Sequence, residues 1–392
     1  MTYTFAYRRY TLPFRTPMRT AHGAWTQREG LLVRLETENG NENENGNGNG
    51  KVLFGDCAPL PWFGTETVAE SAAVCAALGA RVTDKQLDAI PAKYPCLRFA
   101  VARASSPWVW SSTGFQPVSL GNLDTRPNSR AAKSRAGSPC YSNTQTHGLE
   151  ARATPDLPVA ALLPAGRAAL AKIPALLKSG FRVFKWKVGV IDEADELALL
   201  DDVVAALPLG TCLRLDANGA WTTRRAAERW LAHCLNYIVE FVEQPIAPDA
   251  KNSDDLLLGL GNDYQNLLAL DESVATAAGI RRWLNLGWPG VFVIKPALLG
   301  GAVDAAQILS ELPPELTVFS SALETAIGAR AALRLAFQFY ATAKTVPTPP
   351  ALGFGVHPLF RDARFDAPPA APFIRLADLD TIKPEIPWNA LS

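Results

Sequence analysis

Five residues in this 392-residue chain are of types and spacings that could do chemistry together: Lys187, Asp216, Glu243, Asp271 and Lys295. Each ends a short apolar, strand-like run: FRVFKWKV, CLRLDANGAW, YIVEFVEQP, LLALDES and VFVIKP. Successive residues of the set lie 29, 27, 28 and 24 positions apart. A strand, its return helix and two loops consume about that much chain, so the spacing predicts one polar residue per strand at the same end of a parallel barrel. Three carboxylates gathered there describe a site for a hard cation, with Mg²⁺ the natural occupant and Mn²⁺ suited to the same oxygen ligands. Without a cation such carboxylates repel one another.

The lysines complete a second half of the chemistry. In Lys185-Trp186-Lys187 the two-residue period of a strand sends both ammonium groups to one face and Trp186 to the other. Two like charges about 7 Å apart, close to a divalent cation, are expected to depress each other's pKa, which readies a lysine for work as a general base. Lys295, from a strand across the barrel, would approach from the opposite side. Together the parts suit removal of a proton adjacent to a substrate carboxylate, with the resulting anion stabilised by the cation.

The rest of the composition sets limits. Hydrophobic residues make up 48% of the chain and charged residues 19%, as in a globular protein large enough for about two domains. Lys+Arg and Asp+Glu both total 38, a balance that predicts no nucleic-acid or acidic-membrane partner. No stretch reaches the roughly 18 apolar residues of a membrane span, and the first residues lack the apolar core of a signal peptide. Six scattered cysteines without a CxxC pair predict reduced thiols and a cytoplasmic setting. The expected partner is a small-molecule carboxylate, and an oligomer is compatible with this reading.

Around the barrel the chain divides into four parts. Residues 1–104 read as a small α+β domain, with strands at Thr4–Tyr10, Gly30–Glu36 and Val52–Cys57 and helices from Glu66 to about Leu78 and from Tyr94 to Arg103. Within it, residues 38–50 are a polar low-complexity insert (ENGNENENGNGNG) at an expected hairpin tip. Residues 105–154, rich in Ser, Pro, Gly, Asn, Thr and Arg, read as a flexible insert. Residues 155–365 carry the β–α alternation, beginning with LPVAALLP, apolar throughout like a strand buried on both faces. Seven such strands are countable before the pattern fades near Val346. The Pro-rich tail, 366–392, with one strand-like run FIRLADL, is expected to return to the first domain.

The motifs Lys185-Trp186-Lys187, Asp216-Ala217-Asn218, Glu243-Gln244-Pro245, Asp271-Glu272-Ser273 and Lys295-Pro296 resemble, in order and spacing, those of the enolase superfamily, in the subgroup of muconate-lactonising enzymes. That resemblance implies an α/β fold: a modified TIM barrel, (β/α)7β, under an N-terminal α+β capping domain completed by the C-terminal tail. It implies Mg²⁺ held by Asp216, Glu243 and Asp271, with Lys187 as base, Lys295 stabilising an enediolate from the other face, Lys185 tuning Lys187, and Asn218 and Glu272 orienting the ligands.

Within the subgroup the chain most resembles the o-succinylbenzoate synthases, dehydratases of menaquinone biosynthesis. Three segments carry this: Ala58–Thr67 with Trp62 as a capping-domain loop over the substrate, Ser320–Thr325 with Ser320 and Ser321 holding a carboxylate, and Leu352–Gly355 with Gly353 and Gly355 letting backbone approach the ligand. The same five residues also serve N-acylamino acid racemases, dipeptide epimerases and muconate-type cycloisomerases. Dipeptide epimerases carry an Asp-x-Asp near the last strand, which Leu352–His357 lacks; Asp378-Leu379-Asp380 falls in the tail, as a surface pair. A non-catalytic scaffold is the reading furthest from these residues. The region Arg15–Trp25, which helps close the site in this family, retains Arg19 and His22, and His22 reads as a loop residue.

Overall fold

A computed structural model of the chain describes residues 1–38, 51–105, 156–265, 267–343, 346 and 348–391. The expectations for 38–50 and 105–154 therefore lie, apart from Glu38 and Ser105, outside the described residues. The N-terminal part opens with a long antiparallel hairpin, β1 (Thr2–Thr20) and β2 (Gly23–Thr37), followed by β3 (Val52–Cys57), α1 (Val68–Leu78), β4 (Arg81–Thr83), α2 (Asp84–Asp88) and α3 (Pro95–Ser105). The sheet order is β3-β2-β1-β4. Thr67 and Thr83 start α1 and α2 through reciprocal capping with Glu70 and Gln86. The hairpin is longer than its apolar runs: pairing resumes at Met18–Trp25 after a shift between Pro13 and Met18, so the region expected as a loop is a two-stranded arm.

The barrel follows as β5 (Leu157–Leu163), α4 (Ala168–Lys178), β6 (Val183–Lys187), α5 (Glu193–Ala205), β7 (Cys212–Asp216), α6 (Arg224–Cys234), β8 (Val239–Glu243), α7 (Ser253–Asp263), β9 (Leu268–Leu270), α8 (Ala277–Asn285), β10 (Val291–Ile294), α9 (Ala302–Glu311), β11 (Thr317–Phe319), α10 (Ala326–Thr342) and β12 (Leu352–Gly355). Neighbouring strands pair in parallel in the order β11-β10-β9-β8-β7-β6-β5-β12. Among the described residues this makes eight parallel strands and seven intervening helices, the (β/α)7β arrangement. The eighth strand was illegible in the sequence because Leu-Gly-Phe-Gly carries two glycines and little β propensity. Closure comes from one bridge, Ser320 to Gly353, with the Ser321 N–H donating to the Gly353 carbonyl at 3.1 Å.

The tail contains β13 (Phe373–Ile374) and α11 (Glu385–Asn389). FIRLADL is not a capping-domain strand: its first two residues pair antiparallel with β5, and Leu376–Thr381 turn into a 3₁₀ helix. The return to the first domain is made by α11. Trp388 packs on Phe54, lies 4.5 Å below the Arg8 guanidinium and accepts a 2.7 Å hydrogen bond from Arg8 at its carbonyl. One extensive core joins the inner sheet face to the barrel–helix layer. Cys57, Cys75, Cys96 and Cys234 are free and buried, whereas Cys212 is disulfide-bonded, contrary to the expectation of reduced thiols throughout.

Candidate active site

Strand register assembles the site. Lys187 pairs with Asp216 across β6 and β7, and Asp216 with Glu243 across β7 and β8, so the last residues of three successive strands stand side by side. Asp271 and Lys295 are the first residues after β9 and β10. Trp186 is fully buried on the opposite face from Lys185 and Lys187, as the two-residue period requires.

The side chains form a connected ionic cluster. Lys185 Nζ bridges Asp216 at 2.9 Å and Glu243 at 2.7 Å. Lys187 Nζ reaches Asp216 at 3.0 Å and Asn218 Oδ1 at 2.7 Å. Lys295 pairs with Asp271. Asn218 Nδ2 donates to Glu272 Oε1 at 3.1 Å. Gln244, at a left-handed φ of 40°, accepts from the Asp271 and Ser273 N–H groups at 3.0 and 3.1 Å and so ties two strand ends together.

Burial and charge pull the cluster's ionisations apart. Burial opposes ionisation of Asp216, but Lys185 and Lys187 outweigh it and hold this carboxyl well below the usual range. Burial, then the Asp216 charge, pushes Glu243 up to about 7. Burial also raises Asp271 and Glu272. Lys185 is shifted upward, against burial, by the carboxylates around it. Burial pulls its pKa down, yet the charges of Asp216, Glu243 and Asp271 prevail and raise it above an ordinary lysine, so here the carboxylates, not the neighbouring ammonium, dominate.

Among the described residues no three ligating side chains converge on a point as they stand, because lysines hold the carboxylates. The chemistry of the set nevertheless fits a hard cation. Asp216, Glu243, Asp271 and Glu272 are buried or nearly so, they outnumber Lys185, Lys187 and Lys295 by one charge, and buried Glu272 Oε2 has no partner among the described residues.

Above the cluster opens a cavity of about 680 Å³. Lys185, Lys187, Asp216, Asn218, Asp271, Glu272, Lys295, Trp62, Ser320, Ser321, Gly353 and Gly355 all line it; Glu243 does not, lying beneath Lys185. Gly353 and Gly355 line the cavity and serve a second purpose as well. A Cβ on Gly353 would sit 2.5 Å from Ser320 Oγ, and one on Gly355 2.1 Å from the Ala160 carbonyl, so these glycines also let barrel strands come close. The wall also includes residues that sequence reasoning did not select. Phe63 places its ring 4.6 Å from Lys295 Nζ, and Trp25 stands edge-on to Trp62 at 4.8 Å. His22, at the tip of the β1–β2 arm, binds the Asn218 carbonyl at 2.8 Å through Nε2. Their signal, aromatic and polar residues in Pro-rich segments, carries no period to find them by. Asp378 and Asp380 pair with Arg375 and Arg334 and do not line the cavity.

Comparison with known proteins agrees with this geometry. Residues 168–339 match the family model described as enolase C-terminal domain-like. The chain is 37% identical over 354 residues to an o-succinylbenzoate synthase of Thermosynechococcus vestitus, covering 89% of this chain and 91% of the relative. A crystal structure of o-succinylbenzoate synthase from Thermosynechococcus elongatus BP-1, complexed with Mg in the active site, superposes with a TM-score of 0.68 at 34% identity over 99% of both chains. A dipeptide epimerase from Methylococcus capsulatus, complexed with Mg and the dipeptide L-Arg-D-Lys, shares the fold at a TM-score of 0.64 and 20% identity over 86% of this chain and 88% of that one. Barrel, capping sheet, strand-end motifs and relatives agree, and the chain belongs to the enolase superfamily.

Proposed function

We propose that the chain is an o-succinylbenzoate synthase, converting 2-succinyl-6-hydroxy-2,4-cyclohexadiene-1-carboxylate to 2-succinylbenzoate by syn dehydration through an enediolate. One observation carries the reading: Lys187 and Lys295 line the same cavity from β6 and from the end of β10, four strands apart in a ring of eight, hence on opposite sides. The 37% identity to a synthase over most of both chains supports it. So does the cavity wall beside β12, where Gly353, Gly355 and Val356 offer no carboxylate to hold the ammonium of a dipeptide.

Asp216, Glu243 and Asp271 would hold Mg²⁺ or Mn²⁺, with Asn218 and Glu272 orienting them. When bound, the cation stabilises the negative charge that develops on the substrate carboxylate. Lys187 removes the proton alpha to that carboxylate and then delivers it to the departing hydroxyl on the same face. Lys295 stabilises the anionic ring from the other face, its ammonium backed by the Phe63 ring. Lys185 sets the electrostatics of Lys187 through Asp216, which both lysines contact. Trp62 and Trp25 form part of the cavity wall, edge-on to each other.

A single product follows, because aromatisation removes the alpha hydrogen. With N-acylamino acids the same opposed lysines would support racemisation, a second reading favoured by their placement alone. A cytoplasmic setting in menaquinone or phylloquinone biosynthesis follows from the proposed activity; among the described residues no helix is long and apolar enough to cross a membrane.

The test is an ultraviolet assay of purified protein with Mg²⁺ and the cyclohexadiene. Loss of the diene chromophore is expected, with Lys187→Ala slowed by about 10²- to 10⁴-fold or more. No turnover by folded, Mg²⁺-bound protein would sink the synthase reading and turn attention to alpha-proton exchange in N-acylamino acids.

A further inference from the structure

Behind the cavity wall formed by the loop after β11 lies a carboxyl that the mechanism does not use. Glu324 is fully buried. Its Oε2 stands 2.9 Å from Ser321 Oγ, and its Oε1 has no partner among the described residues. Ser321 lines the cavity, and its Oγ also accepts the Leu323 N–H at 2.9 Å. Leu323 sits at a left-handed φ of 60°, and its carbonyl is held at 3.3 Å by the buried Arg28 of β2. The geometry around Ser321 is therefore fixed, and only the positions of two protons are open.

Those protons decide what Ser321 offers a ligand. If Glu324 were ionised, its own backbone N–H would be its main neutral donor, its bare Oε1 would leave charge buried without a paired cation, and the Ser321 proton would be consumed by Oε2. If Glu324 is neutral, its Oε2 proton is donated to Ser321, both Ser321 lone pairs are filled, by Glu324 and by the Leu323 N–H, and the Ser321 proton turns outward. The groups facing Glu324 favour the second arrangement. Asp56 of β3 adds a carboxylate, itself engaged by Tyr10 at 2.9 Å and by the Thr325 N–H and hydroxyl at 2.8 and 2.7 Å. Arg28 is spent on the carbonyls of Leu323, Glu29, Ala58 and Pro59. His357, after β12, is bound through Nδ1 to Asp366 at 3.2 Å, while its buried Nε2 has no partner among the described residues. Burial first, and the Asp56 charge with it, raises the Glu324 pKa against the opposing pull of its own backbone N–H, Ser321 and His357.

We propose that Glu324 is a positioning residue that stays neutral, donates its carboxyl proton to Ser321 Oγ, and so aims the Ser321 hydroxyl proton into the cavity at a carboxylate oxygen of the substrate. The inference rests on reading this cavity as the substrate site. It changes the expected role of Ser321: the serine is an obligate donor, and its polarity is set from behind.

Two measurements test it. The infrared spectrum of the wild type at pH 7 is expected to contain a neutral buried carboxyl band that Glu324→Gln lacks; its absence overturns the proposal whatever the substrate proves to be. In the diene assay the wild-type KM is expected to rise at alkaline pH, as Glu324 ionises and reclaims the Ser321 proton. Glu324→Gln, whose amide donates at every pH, keeps a low KM without that rise, and Ser321→Ala raises KM about tenfold or more with a smaller change in kcat. A Glu324→Gln profile that rises as the wild type does overturns the proposal. A wild type that shows the band but does not turn over the diene supports the neutral carboxyl while the synthase reading fails.

Discussion

At the scale of single residues, type and spacing were readable because the barrel repeats. Each β–α unit returns the chain to the same end, so Lys187, Asp216, Glu243, Asp271 and Lys295 announced themselves at intervals of 24 to 29 positions. What surrounds them did not repeat and was not readable. Phe63 beneath Lys295, Gln244 across two strand ends and Glu324 behind Ser321 depend on contacts between residues far apart in the chain. For Lys185 the sequence shows a neighbouring lysine two positions away, whereas the fold also delivers three carboxylates from other strands, whose charges raise its pKa. Away from the site, burial pushes the Cys75 and Cys234 thiols up to about 12 from the ordinary value of 9.0. An acid whose pKa is raised by folding leaves stability intact below its unfolded pKa and withdraws it as pH climbs towards the folded value. Unfolding free energy measured in urea is therefore expected to decline between pH 9 and 12, by up to about 1.4 kcal/mol per pH unit for each thiol. The double variant Cys75→Ala, Cys234→Ala should decline less steeply; an equal slope would show that neither thiol resists ionisation in the fold.

At the scale of elements, the hairpin and the loop after β11 show where pattern reading stopped. Thr4–Tyr10 and Gly30–Glu36 were visible as strands, but Arg15–Trp25, with its proline and glycine, carries no alternation, and its pairing is imposed by the barrel mouth it covers. The two domains meet through a buried polar link. Asp56 at the end of β3 receives Tyr10 and both the N–H and hydroxyl of Thr325, the residue that opens α10. Asp56→Ala would strand these donors in the interior and is expected to cost about 3 kcal/mol of unfolding free energy. The loss should be visible as a lower urea midpoint with Lys187, Asp216, Glu243 and Asp271 untouched. A change within about 0.5 kcal/mol would mean that the capping domain and barrel do not depend on this link.

At the scale of the whole molecule, the class of fold was legible from β–α alternation, whereas the tail was not. FIRLADL has the composition of a strand, yet its neighbour is the outer end of β5, which leaves room for only two paired residues. The charge imbalance of the buried cluster has a global consequence. A cation that binds only the folded chain relieves the repulsion among four acids and stabilises the fold by mass action, about 2.7 kcal/mol at a concentration one hundred times its Kd. Thermal unfolding with and without millimolar Mg²⁺ should display a higher midpoint with the ion, and the gain should shrink in Asp216→Asn. An unchanged midpoint in the wild type would argue that the acids are satisfied by their lysines alone.

The junction between β11 and β12 has a meaning beyond closure. Among the described residues, the other seven strand junctions of the barrel each carry at least two paired positions, while this one is joined by Ser320 and Gly353. The same two residues form part of the cavity wall. A ligand resting against Ser320 and Ser321 on one side and Gly353 and Val356 on the other straddles the loosest seam of the barrel, as a rivet does a split collar. The wall beside the serines is thus held by the fewest backbone pairings, whereas the lysines and carboxylates are rooted in the laced part of the ring.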